Sequence, residues 1–416
     1  MNASETNRFD IAICGGSFVG LALARALSAM APGAYSIAII EQRPFQKSQE
    51  GESDGRTVAL TSAVKAMLNV IGVWSTIADK AQPVLRIELT DSALEAPVRP
   101  PLIGLDSFDA PGGEPTAYIV ENAHLLPALA ASLEGLPNIA FFAPDSVLGF
   151  ETGDGEVAVR LQSGTDLKAK LLAAADGRHS KLRDMAGIQT TNWPSNKVGI
   201  VATVGIERPH EGVARQHFLP AGPFAILPMT GNRVSIVWTE DADVAGRILA
   251  LDREAVLGEL SQRFGTELGA LTLLSEPKAY ALSMTFARDF VAPRFVLAGD
   301  AAHGLHWIAG QGLNHGLKDV AALAETLIDA QRLGLDIGSL SVLRRYERWR
   351  RFDSATSAMS SAAINTLFSN GNIALRMLRS SGLRTLDRIG PLKSFFMKEA
   401  AGLTGETPKM LKGQPV

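Results

Sequence analysis

The sequence has one cysteine, Cys14, in 416 residues. That excludes an internal disulfide framework and any multi-thiolate metal cluster, and it fits a reducing compartment. A surplus of charge is also missing. Forty Lys and Arg stand against 43 Asp and Glu, a formal net charge of −3, so no global basic field would recruit nucleic acid. No apolar run approaches the ~20 residues that a helix needs to span a bilayer. The opening MNASETNRFD lacks the basic-then-apolar layout of a secretory signal. The expected location is therefore cytoplasmic, with attachment at the inner membrane face left open. Internal repeats and low-complexity tracts are absent too. What remains is a soluble globular composition, 46% hydrophobic and 20% charged, long enough for two or three domains.

Along the chain, residues 9–30 predict strand, tight turn and helix: FDIAIC is a short buried-strand run, GGSFVG breaks it, and LALARALSAM continues as a helix rich in small residues. A second strand, YSIAII, ends at Glu41, and a polar stretch follows. Helical patterns come near Thr61–Val73 and over 117–133. Residues 140–175 alternate in strand fashion and finish in LLAAADG. The block 197–240 holds four strand-like segments, KVGIVATVGI, ARQHFLP, PFAILPM and RVSIVWTE, and predicts a separate sheet. RFVLAGD at 294–300 returns to the buried-strand pattern, with a long helix from about Gly312. Beyond residue 339 the chain reads as helix, with turns at Ser369–Gly371, Ser381–Gly382 and Gly390–Pro391.

Three places carry chemistry. Gly15-Gly16-Ser17-Phe18-Val19-Gly20 sits between strand and helix, where glycines allow a tight turn and close approach of backbone to a pyrophosphate. Ser17 stands where the usual GxGxxG has its middle glycine. Glu41 lies at about the right distance to accept from a ribose hydroxyl, although an ordinary strand-turn-helix would look similar. Asp176-Gly177 ends a strand and can bind a ribose or a phosphate-bound water, yet Asp-Gly is also a common turn. The most specific place is Gly299-Asp300-Ala301-Ala302-His303 followed by Gly310-Gln311-Gly312-Leu313-Asn314. A strand there delivers Asp300 to a sheet's carboxyl edge, and the next helix N-terminus can face an electron-rich flavin ring.

In this order and spacing, GGSFVG, DGRHSKLR and AGDAAH resemble the three fingerprints of the flavin-dependent aromatic hydroxylases of the para-hydroxybenzoate hydroxylase type. HWIAGQGLNHGLKD further resembles the signature of the ubiquinone-biosynthesis hydroxylases, and DGRTVALTSA, RPHEGVARQHFLPAGPFAILP, LFSN and GPLKSFF extend the match over nearly the whole chain. The resemblance implies an α/β fold: a Rossmann-like FAD-binding domain from 1–75, 101–185 and 285–340, an inserted β-rich substrate domain from 76–100 and 186–284, and a helical C-terminal region, 341–416. It implies that Gly15, Gly16, Ser17, Gly20 and Glu41 hold the ADP part of FAD, and that Arg56 reaches the flavin and pyrophosphate. Asp176 and Gly177 would contribute to FAD and NAD(P)H recognition. Asp300 would bind ribitol, with Gly310, Gly312, Leu313 and Asn314 along the flavin's pyrimidine side.

The implied activity is hydroxylation of a polyprenylated phenol in ubiquinone biosynthesis, using FAD, NADPH or NADH, and O2, through a flavin C4a-hydroperoxide. The alternatives are a hydroxylase of another aromatic substrate, or a weakly active flavin-binding subunit of a quinone-biosynthesis complex. A homo-oligomer is also open. Where the family pattern has proline after its second histidine, this chain has Trp307, which would face substrate and either reshape the pocket or stack on an aromatic ring. The catalytic base is unknown, with His217 and His306 as weak candidates. His303, His306 and His315 lie in a turn without a suitably spaced carboxylate pair, so no metal is expected. The segment LRRYERWRRF (343–352) would lie on an anionic membrane or, as we favour, form a solvated helix face. Leu392, Phe395 and Phe396 would serve packing or self-association.

Overall fold

In the computed structural model, which describes residues 7–44, 55–90, 101–107, 113–305, 311–368, 401–403 and 405–416, the run FDIAIC becomes the strand Arg8–Cys14 at the centre of an α/β sheet. It pairs in parallel with Ile37–Ile40 on one side and Asp166–Ala174 on the other. Ile139–Phe142 extends the parallel sheet beyond the first neighbour and Phe295–Leu297 beyond the second. Where both faces are covered the strands are continuous apolar runs rather than alternating ones: Ile11, Ile13, Ile37, Ile39, Leu171 and Leu172 are fully buried, whereas the first half of Asp166–Ala174 alternates. The strands Val147–Thr152 and Val157–Leu161 add an antiparallel flap to Asp166–Ala174, and the latter strand alternates buried and exposed.

The helix Phe18–Met30 lies on this sheet against the long helix Gln311–Arg332. Small residues make the close approach possible. A Cβ on Gly316 would sit 2.7 Å from Val19 Cγ2, and one on Gly299 would sit 2.9 Å from it. The helix Leu340–Phe368 packs outside Gln311–Arg332, and Met410 and Leu411 near the C-terminus join the same core. No described helix is long and apolar enough to cross a membrane. The turns expected at Ser369–Gly371, Ser381–Gly382 and Gly390–Pro391, together with Leu392, Phe395 and Phe396, lie outside the described residues.

All four strand-like segments of 197–240 form strands, Lys197–Ile206, Val213–Leu219, Gly222–Met229 and Arg233–Asp241, in one antiparallel sheet: the last three pair in succession, and the first lies beside the fourth. Two helices not anticipated from the sequence, Ala242–Leu249 and Arg253–Phe264, cover one face of this sheet, burying Ile200, Ala202, Val204, Phe224, Ile236 and Trp238. The other face meets the rest of the protein through Ala214 and Met229, which bury Val84 and Ile119. One boundary needs correction. Ile103–Asp106, grouped by sequence with the nucleotide-binding segments, pairs with Arg86–Thr90 in this second sheet, because Ile103 and Phe218 bury each other with Leu89, Leu102 and Leu105 around them. Two three-stranded sheets complete the fold: Thr57–Thr61, Ala117–Glu121 and Gln82–Val84, and Thr190–Trp193, Met284–Ala287 and His303–Leu305.

Candidate functional site

The chemistry-bearing segments gather where the parallel strands end. Gly15 follows the first strand at φ +112°, and a Cβ there would lie 2.2 Å from the Ala175 carbonyl oxygen. A Cβ on Gly20 would lie 1.9 Å from the Gly15 oxygen. Both positions therefore need glycine, for different reasons: backbone handedness at one, helix-to-turn contact at the other. Ser17 is the N-cap of the helix Phe18–Met30, yet its side chain makes no capping bond and no acid occupies the first turn. The helix thus presents open N–H groups and the positive end of its dipole. From the end of the second strand Glu41 closes one flank, Oε2 accepting from Gly16 N–H at 2.7 Å and Oε1 from Arg43 N–H at 3.0 Å.

Asp176 continues the Asp166–Ala174 strand, and Gly177 turns the chain at φ +83°. Asp176 Oδ2 accepts from Leu182 N–H at 3.3 Å, whereas its buried Oδ1 finds no partner among the described residues. Burial pushes this carboxyl above its ordinary pKa of 3.8, against hydrogen bonds from Ser180 and Leu182. Arg183 is buried and ties this segment to the next, its Nη1 donating to the carbonyls of Arg178 and Ala301, each at 3.1 Å.

Asp300 rides on a single 3-10 turn, Gly299–Ala301, which follows the Phe295–Leu297 strand. No hydrogen bond to its carboxylate is made by a described residue. Burial raises its pKa, opposed by the charges of Arg178 and His303. Asn314 is buried on the adjoining helix with its amide already engaged: Nδ2 donates to Ala59 at 2.7 Å, and Oδ1 accepts from Thr61 N–H at 3.0 Å. Its side chain therefore clips the helix Gln311–Arg332 to the strand Thr57–Thr61. Gly312 and Leu313 stand half-buried at the start of that helix. Arg56, just before the strand, is exposed, with its guanidinium 5.8 Å from the Tyr280 ring centroid. His306, Trp307 and Gly310 lie outside the described residues.

His217 does not join this group. It pairs in register with Phe224 and stacks on it at 6.3 Å, on the sheet face covered by the helices Ala242–Leu249 and Arg253–Phe264, and it contacts Thr90 Oγ1. Successive strand residues alternate faces, so His217 points away from the face on which Ala214 and Met229 bury Val84 and Ile119. His303 and His315 are buried, and the former pairs with Asp319 at 2.7 Å.

A network that the sequence did not reveal lies directly beneath the Asp300 turn. Asp319, fully buried, accepts from Gly299 N–H at 2.8 Å and Arg350 Nε at 2.6 Å, beside His303 Nε2. Burial alone would raise its pKa, but His303 and Arg350 outweigh it and hold the value down to about 2. The arginine-rich segment 343–352 is accordingly only partly a solvated face. Leu343, Tyr346 and Arg350 are buried, whereas Arg344, Arg345, Arg348, Arg351 and Phe352 are exposed. A clue was present: Arg350 falls on the helical stripe Leu343, Tyr346, Arg350, Ser354.

The sequence profile described as FAD binding domain matches residues 8–355. Along its whole length the chain is similar to the ubiquinone hydroxylase UbiL of Rhodospirillum rubrum, at 39% identity over 98% of this chain and 93% of that protein. It is similar to the 3-demethoxyubiquinol 3-hydroxylase of Escherichia coli at 32% identity, covering 95% of this chain and 98% of the relative. Among solved structures, p-nitrophenol 4-monooxygenase PnpA from Pseudomonas putida has the same fold, with a TM-score of 0.78 at 20% identity over 96% of this chain and 99% of that one. The chain belongs to the FAD binding domain family, as a flavin-dependent monooxygenase.

Proposed function

We propose that this monooxygenase hydroxylates the aromatic ring of a polyprenylated phenol in ubiquinone biosynthesis, with FAD as resident cofactor and NAD(P)H and O2 as co-substrates. The observation that carries the reading is the 39% identity to a ubiquinone hydroxylase across 98% of the chain. The carboxyl-edge residues fit the cofactor. Gly15 and Gly20 let the turn and helix pack closely on backbone, and the first turn of the helix, with no side-chain cap and no acid, offers the open N–H groups that a pyrophosphate requires. Glu41 supplies acceptor oxygens for ribose, and Arg56 a cation for the phosphates. Asp176 Oδ1 is a buried acceptor without a donor among the described residues. Leaving such an atom unpaired costs about 1–3 kcal/mol, which a cofactor hydroxyl or bound water would offset. Asp300 has its carboxylate open for ribitol. Asn314 would act by holding the strand and helix together rather than through its occupied amide.

Bound there, FAD supplies hydride acceptance and oxygen activation. The chain contributes position and exclusion of water. With His217 on the helix-covered face, no described histidine is assigned as base. Trp307 is proposed to face substrate. We also propose the division into an FAD-binding domain, a β-rich substrate domain and a C-terminal region, with Ile103–Asp106 moved to the second. The test is steady-state turnover of the purified yellow protein. A short-chain prenylated phenol is expected to stimulate NAD(P)H oxidation and O2 uptake at least about tenfold, with hydroxylated product formed in step. Oxidation that stays at its basal rate, with only hydrogen peroxide produced, would overturn the hydroxylase reading. Deletion of the gene with unchanged quinone content would overturn the pathway.

A finer part of the proposal is contact with an anionic membrane surface, where such a substrate partitions. It is supported by the exposed Arg344, Arg345, Arg348 and Arg351 beside Phe352, which is 78% exposed. Cosedimentation with phosphatidylglycerol-rich vesicles is expected to fall at least about threefold in R344E/R348E, since each near-surface cation contributes about 1 kcal/mol. Equal binding by wild type and variant would remove the membrane contact from the proposal.

A further inference from the structure

The helix Leu340–Phe368 holds the strand and turn that end in Asp300 at successive places. Glu347 Oε1 accepts from Phe290 N–H at 2.7 Å, and Tyr346 O–H donates to the Leu297 carbonyl at 2.9 Å. One helical turn further on, Arg350 Nε donates to Asp319, whose other oxygen accepts from Gly299 N–H. Gly299 stands at φ +64°, a backbone state that L side chains rarely adopt. The direction of its N–H fixes the peptide plane immediately before Asp300. Arg350 is itself held by the Asp353 carboxylate, so the donor to Asp319 has little freedom. A charge this deep is expensive to bury, and replacing such a pair by apolar residues is often neutral or stabilising. The network therefore needs a reason beyond filling space.

We propose that the Arg350–Asp319 pair is a positioning device for Asp300: the helix Leu340–Phe368 sets the geometry of the turn, through Gly299, on which FAD affinity depends. This rests on the reading of Asp300 as a cofactor ligand. Neither Arg350 nor Asp319 touches the cofactor in this role. The coupling runs through a chain of hydrogen bonds joining two helices and one turn, a contiguous physical path between sites.

The experiment is titration of apoprotein with FAD, followed by quenching of flavin fluorescence, alongside thermal unfolding of each variant. R350M is expected to weaken FAD binding on the order of tenfold, and R350K, which keeps one donor and the charge, to recover part of the loss. R294M is the control: Arg294 is also buried, but it bonds to carbonyls at the opposite end of the Phe295–Leu297 strand. It is expected to lower Tm while leaving FAD affinity within about twofold. In a D300A background, R350M should add no further loss, because the group it positions is gone. The proposal is overturned if R350M and R350K lower Tm but bind FAD as wild type does, or if R350M and R294M weaken FAD equally. D300A binding FAD with unchanged affinity would overturn the cofactor placement instead, and the proposal with it.

Discussion

Gly20→Val is expected to yield a folded protein that purifies colourless. A Cβ at this position would come within 1.9 Å of the Gly15 carbonyl oxygen and 3.2 Å of Ile13 Cγ2. The first contact is with backbone, which cannot swing aside as a flexible side chain can. The helix Phe18–Met30 would have to lift from the turn, and its first N–H groups would lose their shared aim. Gly15 itself cannot relax to compensate, because at φ +112° it is packed against Ala175. The rest of the core does not depend on this contact, since Leu21, Leu23 and Leu27 bury further along the helix. The expected loss of FAD affinity is at least about 100-fold, or roughly 3 kcal/mol, read by fluorescence titration of refolded apoprotein. Ser17→Gly is the informative partner. The Ser17 side chain makes no capping bond, so restoring the usual glycine should change affinity by no more than about threefold, a few tenths of a kcal/mol. A G20V protein that retains stoichiometric FAD would mean that the turn is not the pyrophosphate site.

The glycine turn, the Asp-Gly pair and the Gly-Asp turn were legible because each is local: strand, special backbone residue and helix start lie within about ten residues of one another. The β-rich block was legible for the same reason, through alternation and turn residues. Three features escaped because they are set by distant partners. Ile103–Asp106 joins the second sheet through Phe218, more than a hundred positions away in sequence, which no local pattern encodes. His217 sits in an alternating strand, and its face is decided by which side the helices Ala242–Leu249 and Arg253–Phe264 cover. Arg350 lies in a run of arginines whose composition reads as solvated surface, and its burial becomes sensible only when Asp319 is seen beneath it. The clip that Asn314 makes was not legible, because the backbone atoms of Ala59 and Thr61 that it binds leave no trace in side-chain identity.

Asp319→Ala is expected to be the most destabilising single change in the described structure away from the glycine turn. It would leave Arg350, 1% exposed, without one of its two carboxylates, and would strip the acceptor from Gly299 N–H. Removing one partner of such a buried pair costs about 3–5 kcal/mol, a large share of the roughly 5–15 kcal/mol that holds a protein folded. The same residue predicts a pH dependence. Its carboxyl has a folded pKa of about 2 against an ordinary 3.8. The group is thus depressed on folding, so its contribution is complete above 3.8 and is lost as pH falls toward 2. The size is about 2 kcal/mol, since a tenfold change in acidity is worth about 1.4 kcal/mol. Asp176 and Asp300 run the other way, because burial raises both: their penalty is relieved on acidification, which makes the fall in wild-type stability shallower than Asp319 alone would give. Urea midpoints of the apoprotein across this acid range should therefore decline for wild type and decline less for D319A. Parallel curves would show that ionised Asp319 does not anchor the turn, whereas convergence of the two proteins at the acid end would locate the missing stability in this one carboxylate.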